Sequence, residues 1–279
     1  MKTGLFVVIT LLGFKLHAQL NLEFDKRFVE CEDKWIAFKM DKDSSYNFGF
    51  IYIDSEAGLT FNQEGSFKMN SKGILEVKKM KETNVKYRLE ANRVTVALIP
   101  KNLFDELEID ETPEWLKYYK TDLNTAERNY KWGFMYNGWN ECEKALPFLL
   151  KAKELDPNTN GLAVEIAFSY NCLFEFEKAV EILEEANDEH PKDAYINKEL
   201  IYSLTKLKEI EKAEAQFYKS IKSVSENTYH AENCFNIMQY YYLQKDAKNF
   251  HVWYDELKKW PNENEQITLY AKKMKAELK

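Results

Sequence analysis

The chain has 279 residues, 45% of them hydrophobic and 15% aromatic, which is too apolar for a disordered protein and leaves room for about two domains. Its 39 basic and 46 acidic side chains give a formal charge of −7, and no basic block stands out. Nucleic acid is thereby excluded as an expected partner, because phosphate neutralisation needs clustered Lys and Arg.

Lys2 followed by the ten-residue run Leu5 to Phe14, apolar apart from Thr10, has the form of a secretory signal with a cut after Ala18. As a helix the run spans about 15 Å, roughly half of a bilayer core, so no permanent anchor is expected from it. Loss of residues 1–18 takes the formal charge from −7 to −9. The expected product is exported, periplasmic or envelope-associated. Four cysteines follow: Cys31, Cys142, Cys172 and Cys234. Export permits disulfides, and Cys142 and Cys172 fall on helices expected to be neighbours. Cys142 also occupies an apolar packing place, for which a free buried cysteine is the commoner solution.

From Gln19 to Ile99 the pattern is one of short strands. Lys34–Met40, Phe48–Asp54, Ser66–Met69, Ile74–Val77, Val85–Leu89 and Val94–Ile99 are apolar, β-branched or aromatic. Turn-forming stretches separate them at 41–45, 54–58, 62–65 and 70–73. The expectation is a β-domain over 19–112, an antiparallel meander closed or half-closed into a small barrel or sandwich. Phe48–Ile53, apolar on both faces, belongs at its centre. Pro100 ends the last strand, short helices are expected at 102–109 and 113–119, and 113–125 forms the linker. Asp122–Thr125 offers caps for the helix that follows.

The rest of the chain repeats itself. Tyr136 and Tyr170, Ala145 and Ala179, Leu149 and Leu183, Ala152 and Ala186, and Pro157 and Pro191 are each 34 residues apart. The segment Glu141-Cys142-Glu143-Lys144-Ala145 recurs as Glu175–Ala179 and again as Glu209–Ala213. This period, with small, aromatic and proline residues at these offsets, resembles the tetratricopeptide repeat (TPR) family over residues 126–263. The resemblance implies helical hairpins at 126–159, 160–193, 194–227 and 230–263, the last in register only after two inserted residues near Asn227. In that repeat Asn249 takes the small-residue place of Ala213. Pro147 lies inside a helix, where a kink is expected. Residues 264–279 read as a capping helix with Ile267, Tyr270, Met274 and Leu278 on one side. The fold class is therefore α+β, a small antiparallel β-domain followed by an α-solenoid.

No catalytic pattern emerges. Glu141 and Glu143 are explained by the helix dipole. His190, His230 and His251 lack metal-site spacing, and there is no HExxH, GxSxG, CxxC or phosphate loop. No metal or cofactor is expected. The TPR resemblance implies a non-catalytic interaction module binding a peptide or protein surface with the first helices of its repeats. Candidate contacts are Phe134, Phe168 and Tyr202, each 34 apart, with Met238 continuing the row after the two-residue shift. Asn137 and Asn171 lie one turn further along the same face. Tyr130, Val164, Tyr195 and Tyr241 complete the set. The carboxylate clamp of some TPR domains is absent, since Tyr130, Phe134, Tyr195 and Glu199 stand in its places. An extended, uncharged apolar segment is the expected occupant. An apolar row would equally pack the inside of the superhelix or meet the β-domain. The alternative is an enzyme or ligand receptor with its site in 19–112 and repeats that serve self-association.

Overall fold

The computed structural model describes residues 20–80, 85–121, 124–223, 228–262 and 264–278. The expected signal segment and the insertion near Asn227 lie outside them. The chain divides into two compact units, Met1–Lys117 and Tyr118–Lys279.

The first unit is built on an antiparallel sheet of β1 (Lys26–Arg27), β2 (Lys34–Ala37), β3 (Tyr46–Asp54), β4 (Gly58–Met69), β5 (Leu75–Lys79), β6 (Val85–Arg88) and β7 (Thr95–Leu98). Their order is β1-β7-β2-β3-β4-β5, and β6 also pairs with β4. Among the described residues the path is open, with β1 and β5 at its ends. β3 is central, and Phe48 and Phe50 to Ile53 are almost wholly buried, as an apolar run without alternation requires. Trp35 packs edge-on to Phe50 at 5.1 Å and donates its indole N–H to the carbonyl of Asp110 at 2.7 Å.

Three of the expected turns close as their residues dictate. Asp54 accepts from the backbone N–H of Glu56 and Ala57, Asn70 from Lys72 and Ile74, and Asp43 from Ser45. The stretch 62–65 is a correction: it is the middle of β4. β4 is long enough to carry β6 along Thr60–Gln63 and β5 along Gly65–Met69. Gly65 is needed there because a Cβ would lie 2.4 Å from the carbonyl oxygen of Lys78. The register shift against β3 falls opposite it, between Phe48 and Gly49. A glycine demanded by close strand approach looks like a turn glycine in sequence. After β7 come a 3-10 turn at Lys101–Leu103, α1 (Phe104–Leu107) and a 3-10 helix at Glu114–Tyr119.

The second unit holds α2 (Ala126–Gly138), α3 (Cys142–Leu155), α4 (Leu162–Cys172), α5 (Phe176–Glu189), α6 (Ala194–Lys206), α7 (Ile210–Ser223), α8 (His230–Leu243), α9 (Ala247–Leu257) and α10 (Glu265–Glu277). Thr125, Asp193, Asp246 and Asn264 cap α2, α6, α9 and α10 with their side chains. Neither Asn158 nor Asn160 caps α4, which starts from Gly161. α3 continues through Pro147. Ala145, Ala179 and Ala213 are fully buried where the paired helices meet, with Leu149, Leu183 and Phe217 one turn on.

The hairpin turns are one device used four times. Glu141, Glu175, Glu209 and Asp246 donate their backbone N–H groups to the carbonyls of Tyr136, Tyr170, Leu204 and Tyr241 at 2.8–3.0 Å. The residue before each, Asn140, Phe174, Lys208 and Lys245, has φ of 58°, 62°, 64° and 57°. The first Glu of each repeated motif is thus the residue before the helix, and it pairs with the motif's Lys at 144, 178 or 212. Only Glu143, Glu177 and Glu211 stand in the first turn.

These markers also fix the fourth repeat. Lys208 to Lys245 and Glu209 to Asp246 are each 37 residues apart, a shift of three from the period of 34 where the sequence suggested two. Phe250, fully buried, takes the place of Ala213, and Asn249 stays in the first turn bound to Asp246. In α10 the buried stripe is Ile267 and Ala271, with Met274 and Leu278 packed on the core, while Tyr270 is exposed.

The left-handed residues offer a first test. Asn adopts positive φ at lower cost than Phe, whose Cβ crowds the next carbonyl. Phe174 is exposed, and among the described residues its ring meets that of Phe176 at 6.1 Å. Phe174→Asn is expected to raise the unfolding free energy by about 0.5–1 kcal/mol in urea titrations. A loss of stability would mean that the ring contact outweighs the backbone strain.

Candidate interaction face

The first helices of the repeats, α2, α4, α6 and α8, pack side by side, each also packed on its own partner helix. A position on such a helix therefore faces its hairpin partner, the next first helix, or the open side. The 34-residue period marks all three alike.

The open side carries Phe134, which is 54% exposed, with Tyr130 beside it at 6.1 Å between ring centroids. Phe168 and Tyr202 are half-buried. Lys206 lies over the Tyr202 ring at 4.9 Å, and Tyr195 meets Tyr229 at 6.0 Å. Phe134, Phe168 and Tyr202 each keep part of their surface, and Tyr202 also meets Phe176 of α5 edge-on at 6.2 Å.

Five predicted contacts are placed elsewhere. Met238 is completely buried: in the register of 37 it is equivalent to Ile201, which continues the core series Gly133–Ala167–Ile201, not to Tyr202. Tyr241 is equivalent to Leu204 and is buried too, its hydroxyl donating to Glu214 at 2.7 Å, where the Trp253 indole also donates. Val164 belongs to the continuous core. Asn137 and Asn171, both 4% exposed, face the neighbouring first helix.

Those two asparagines are half of a repeated bracket. The amide of Asn137 donates to the Glu165 carbonyl at 2.9 Å and to its carboxylate at 2.8 Å, and Ser169 donates to the Asn137 oxygen at 2.8 Å. One repeat on, Asn171 donates to Glu199 at 2.8 Å and Ser203 donates to Asn171 at 2.7 Å. Glu165 and Glu199, like Ser169 and Ser203, are 34 apart, so the signal was present in the sequence. A glutamate at helical spacing reads as a solvated surface acid, and only the burial reveals its role.

The acids change the electrostatics of the face. Burial pushes the Glu165 carboxyl above its usual range, against the opposing hydrogen bond from Asn137. The phenols of Tyr130 and Tyr195 are raised, first by burial and then by the charge of Glu165. For Lys198 burial works against the ammonium, but Glu199 and Glu232 outweigh it and the net shift is upward. Lys198 pairs with Glu199 at 2.9 Å and Glu232 at 3.6 Å, with the rings of Tyr195 and Tyr229 at 5.1 and 5.4 Å. An uncharged occupant was expected from the aromatics and amides alone, and the carboxylates of Glu165 and Glu199 add a feature that expectation did not include.

The helices also place Cys142, at the start of α3, against Cys172, at the end of α4, and the two form a disulfide with Cα atoms 6.2 Å apart. This overturns the free-cysteine reading for that pair. Cys31 and Cys234 are free and buried, and burial pushes the Cys31 thiol up to about 12, too high for a nucleophile. Among the described residues no group of His, Cys, Asp and Glu is arranged to hold a metal ion, and no helix is long and apolar enough to cross a membrane.

Among the described residues, clefts open beside the first helices and in the β unit. One of about 900 Å³ is lined by the inter-repeat loops around Pro157 and Pro191. One of about 650 Å³ in the β unit is lined by Phe28, Phe38, Phe61 and Tyr87 with Lys39 and Asp41.

No protein-family model matches the chain, and no curated protein matches it. Among solved structures it is similar to YrrB, a TPR protein with an unusual peptide-binding site, at 17% identity and a TM-score of 0.46, over 62% of this chain and 81% of that one. It is similar to the pilF protein of Pseudomonas aeruginosa at 15% and 0.42, over 56% and 74%. It is similar to a thermophilic TPR protein of Thermus thermophilus at 16% and 0.46, over 57% and 84%. The assignment of TPR-like hairpins rests on this chain's own 34-residue register and repeated turn hydrogen bonds.

Proposed function

We propose that the chain is an exported, non-catalytic interaction module that holds a segment of a partner protein along the first-helix face of its repeats. The observation that carries this is the row Phe134, Phe168 and Tyr202, which stays accessible while the core positions around it close. Each ring offers roughly 150–250 Å² of contact with little entropy to lose. Export is supported by the apolar run after Lys2 and by a disulfide that suits an oxidising compartment.

The test is Phe134→Ala with Phe168→Ala, compared with the unaltered chain in pull-downs from the cell-envelope fraction, with bound protein identified by mass spectrometry. Loss of a specific partner is expected, with the thermal midpoint shifted by only a few degrees, as for side chains outside the core. Undiminished capture, or an unfolded variant, would place the binding surface elsewhere.

One observation favours the second reading, a receptor or enzyme with its site in the β unit: the aromatic cleft at Phe28, Phe38, Phe61 and Tyr87 has the volume of a small-molecule site. Stabilisation of the chain by a small molecule, abolished by Phe61→Ala, would support it.

A further inference from the structure

Glu165 and Glu199 occupy the same place in successive repeats, and only one of them has a cation. Glu199 accepts from Asn171 through Oε2 and pairs with Lys198 through Oε1. Glu165 accepts from Asn137 through Oε2 at 2.8 Å, but its Oε1 has no hydrogen-bond or ion-pair partner among the described residues. The residue is 4% exposed, and Oε1 is not among the fully enclosed polar atoms that lack a partner, so it stays within reach of an incoming group. A carboxylate desolvated to that extent without a countercharge is costly unless something supplies one.

The chain shows what a completed site of this kind looks like. Lys198 reaches Glu199 with the rings of Tyr195 and Tyr229 about it. Thirty-four residues earlier, the places of Tyr195 and Lys198 are taken by Gly161 and Val164. Val164 removes the ammonium. Gly161 removes one ring, and Tyr130 from the preceding repeat fills the gap: its hydroxyl lies 2.8 Å from where a Cβ on Gly161 would be. Gly161 accepts from the backbone N–H of Glu165, so the phenol sits one helical turn from the carboxylate. Glu165 thus keeps one ring close by, that of Tyr130, and has no ammonium beside it among the described residues. The field of Lys198 reaches it, but that ammonium is already held by Glu199 and Glu232.

We propose that Glu165, with the phenol of Tyr130 one helical turn away, receives the ammonium of a lysine side chain from the bound partner segment, completing it as Lys198 completes Glu199. This rests on the first-helix face being the docking surface, and it makes the preferred segment one that sets a lysine among apolar residues. The Tyr130 ring gives the stem and the cation an apolar neighbour, and the carboxylate gives a charge-assisted bond.

The test uses the full chain and two acetylated, amidated peptides of Leu, Ala and Phe that differ only at the centre, lysine in one and its uncharged isostere norleucine in the other, followed by calorimetry. The lysine peptide is expected to bind at least roughly tenfold tighter, with the advantage shrinking in high salt. Glu165→Gln, whose carbonyl still accepts from Asn137, should reduce the lysine peptide to the affinity of the norleucine peptide and leave the latter unchanged. Val164→Lys, which supplies the chain's own ammonium as Lys198 does, should also erase the preference. Phe134→Ala with Phe168→Ala should weaken both peptides alike. Equal affinities for the unaltered chain, or a preference that survives Glu165→Gln, overturn the lysine site and leave the aromatic row standing. No binding of either peptide overturns both.

Discussion

Cys172→Ser is expected to cost the helical unit about 3–4 kcal/mol, and to lower its thermal midpoint by roughly 10 °C. The Cys142–Cys172 bond closes a loop with a sequence separation of 30, and restricting that loop in the unfolded chain gives a cost of this size. The unaltered chain should fall to the same midpoint in dithiothreitol, whereas the variant should be indifferent to it. Alkylation under denaturing conditions without reductant should label two thiols, those of Cys31 and Cys234, and four after reduction. Four labelled thiols without reductant, in protein taken from an oxidising compartment, would sink the assignment. The bond also ties the second helix of one repeat to the first helix of the next, so its loss should loosen the stack between α3 and α4 before it loosens either hairpin.

Why this bond was hidden in the sequence follows from what periodicity carries. A period of 34 marks which residues are equivalent, and Cys142 is equivalent to Phe176 and Ile210, both packing residues. Equivalence says nothing about which neighbour a side chain faces, and the pairing depends on the approach of two helices from different repeats. The same gap explains Asn137 and Asn171: their repetition was legible, but the direction was not, and they face the adjacent helix while Phe134, three residues away, faces outward. Met238 failed for another reason. The turn markers at Lys208 and Lys245 carry no glycine, so their left-handed backbone leaves no mark in the sequence, and the shift of three could not be counted from them. What was legible rests on burial patterns that have one solution. The doubly apolar run Phe48–Ile53 has to be a central strand, and Ala145, Ala179 and Ala213 have to lie where two helices touch. Asn62–Gly65 misled because glycine serves turns and crowded strands equally.

Asn137→Ala should be the most damaging change on the first-helix face, about 2–4 kcal/mol, although Phe134 nearby is far larger and should cost little. Without the Asn137 amide, the Glu165 carboxylate has no hydrogen-bond partner among the described residues, and Ser169 loses its acceptor across the repeats while keeping the Glu165 carbonyl at 3.2 Å. Asn171→Ala should cost less, because Glu199 keeps Lys198. The sign with pH follows from the bond being lost. Asn137 lowers the Glu165 pKa against burial, so its removal raises the folded-state value further above that of the unfolded chain. A carboxyl with a raised folded pKa loses stability as pH climbs through that value, so the deficit of Asn137→Ala should be larger at high pH and shrink as Glu165 becomes protonated. Adding Glu165→Gln should recover part of the loss at neutral pH, since no charge then remains to be buried unpaired, and the recovery should vanish in acid. Urea unfolding of the two single variants and the double variant across that pH range measures the coupling directly. If Asn137→Ala costs under about 0.5 kcal/mol, the usual effect of a surface change, the bracket contributes nothing to the stack, and the amide is free to serve a partner's backbone after all.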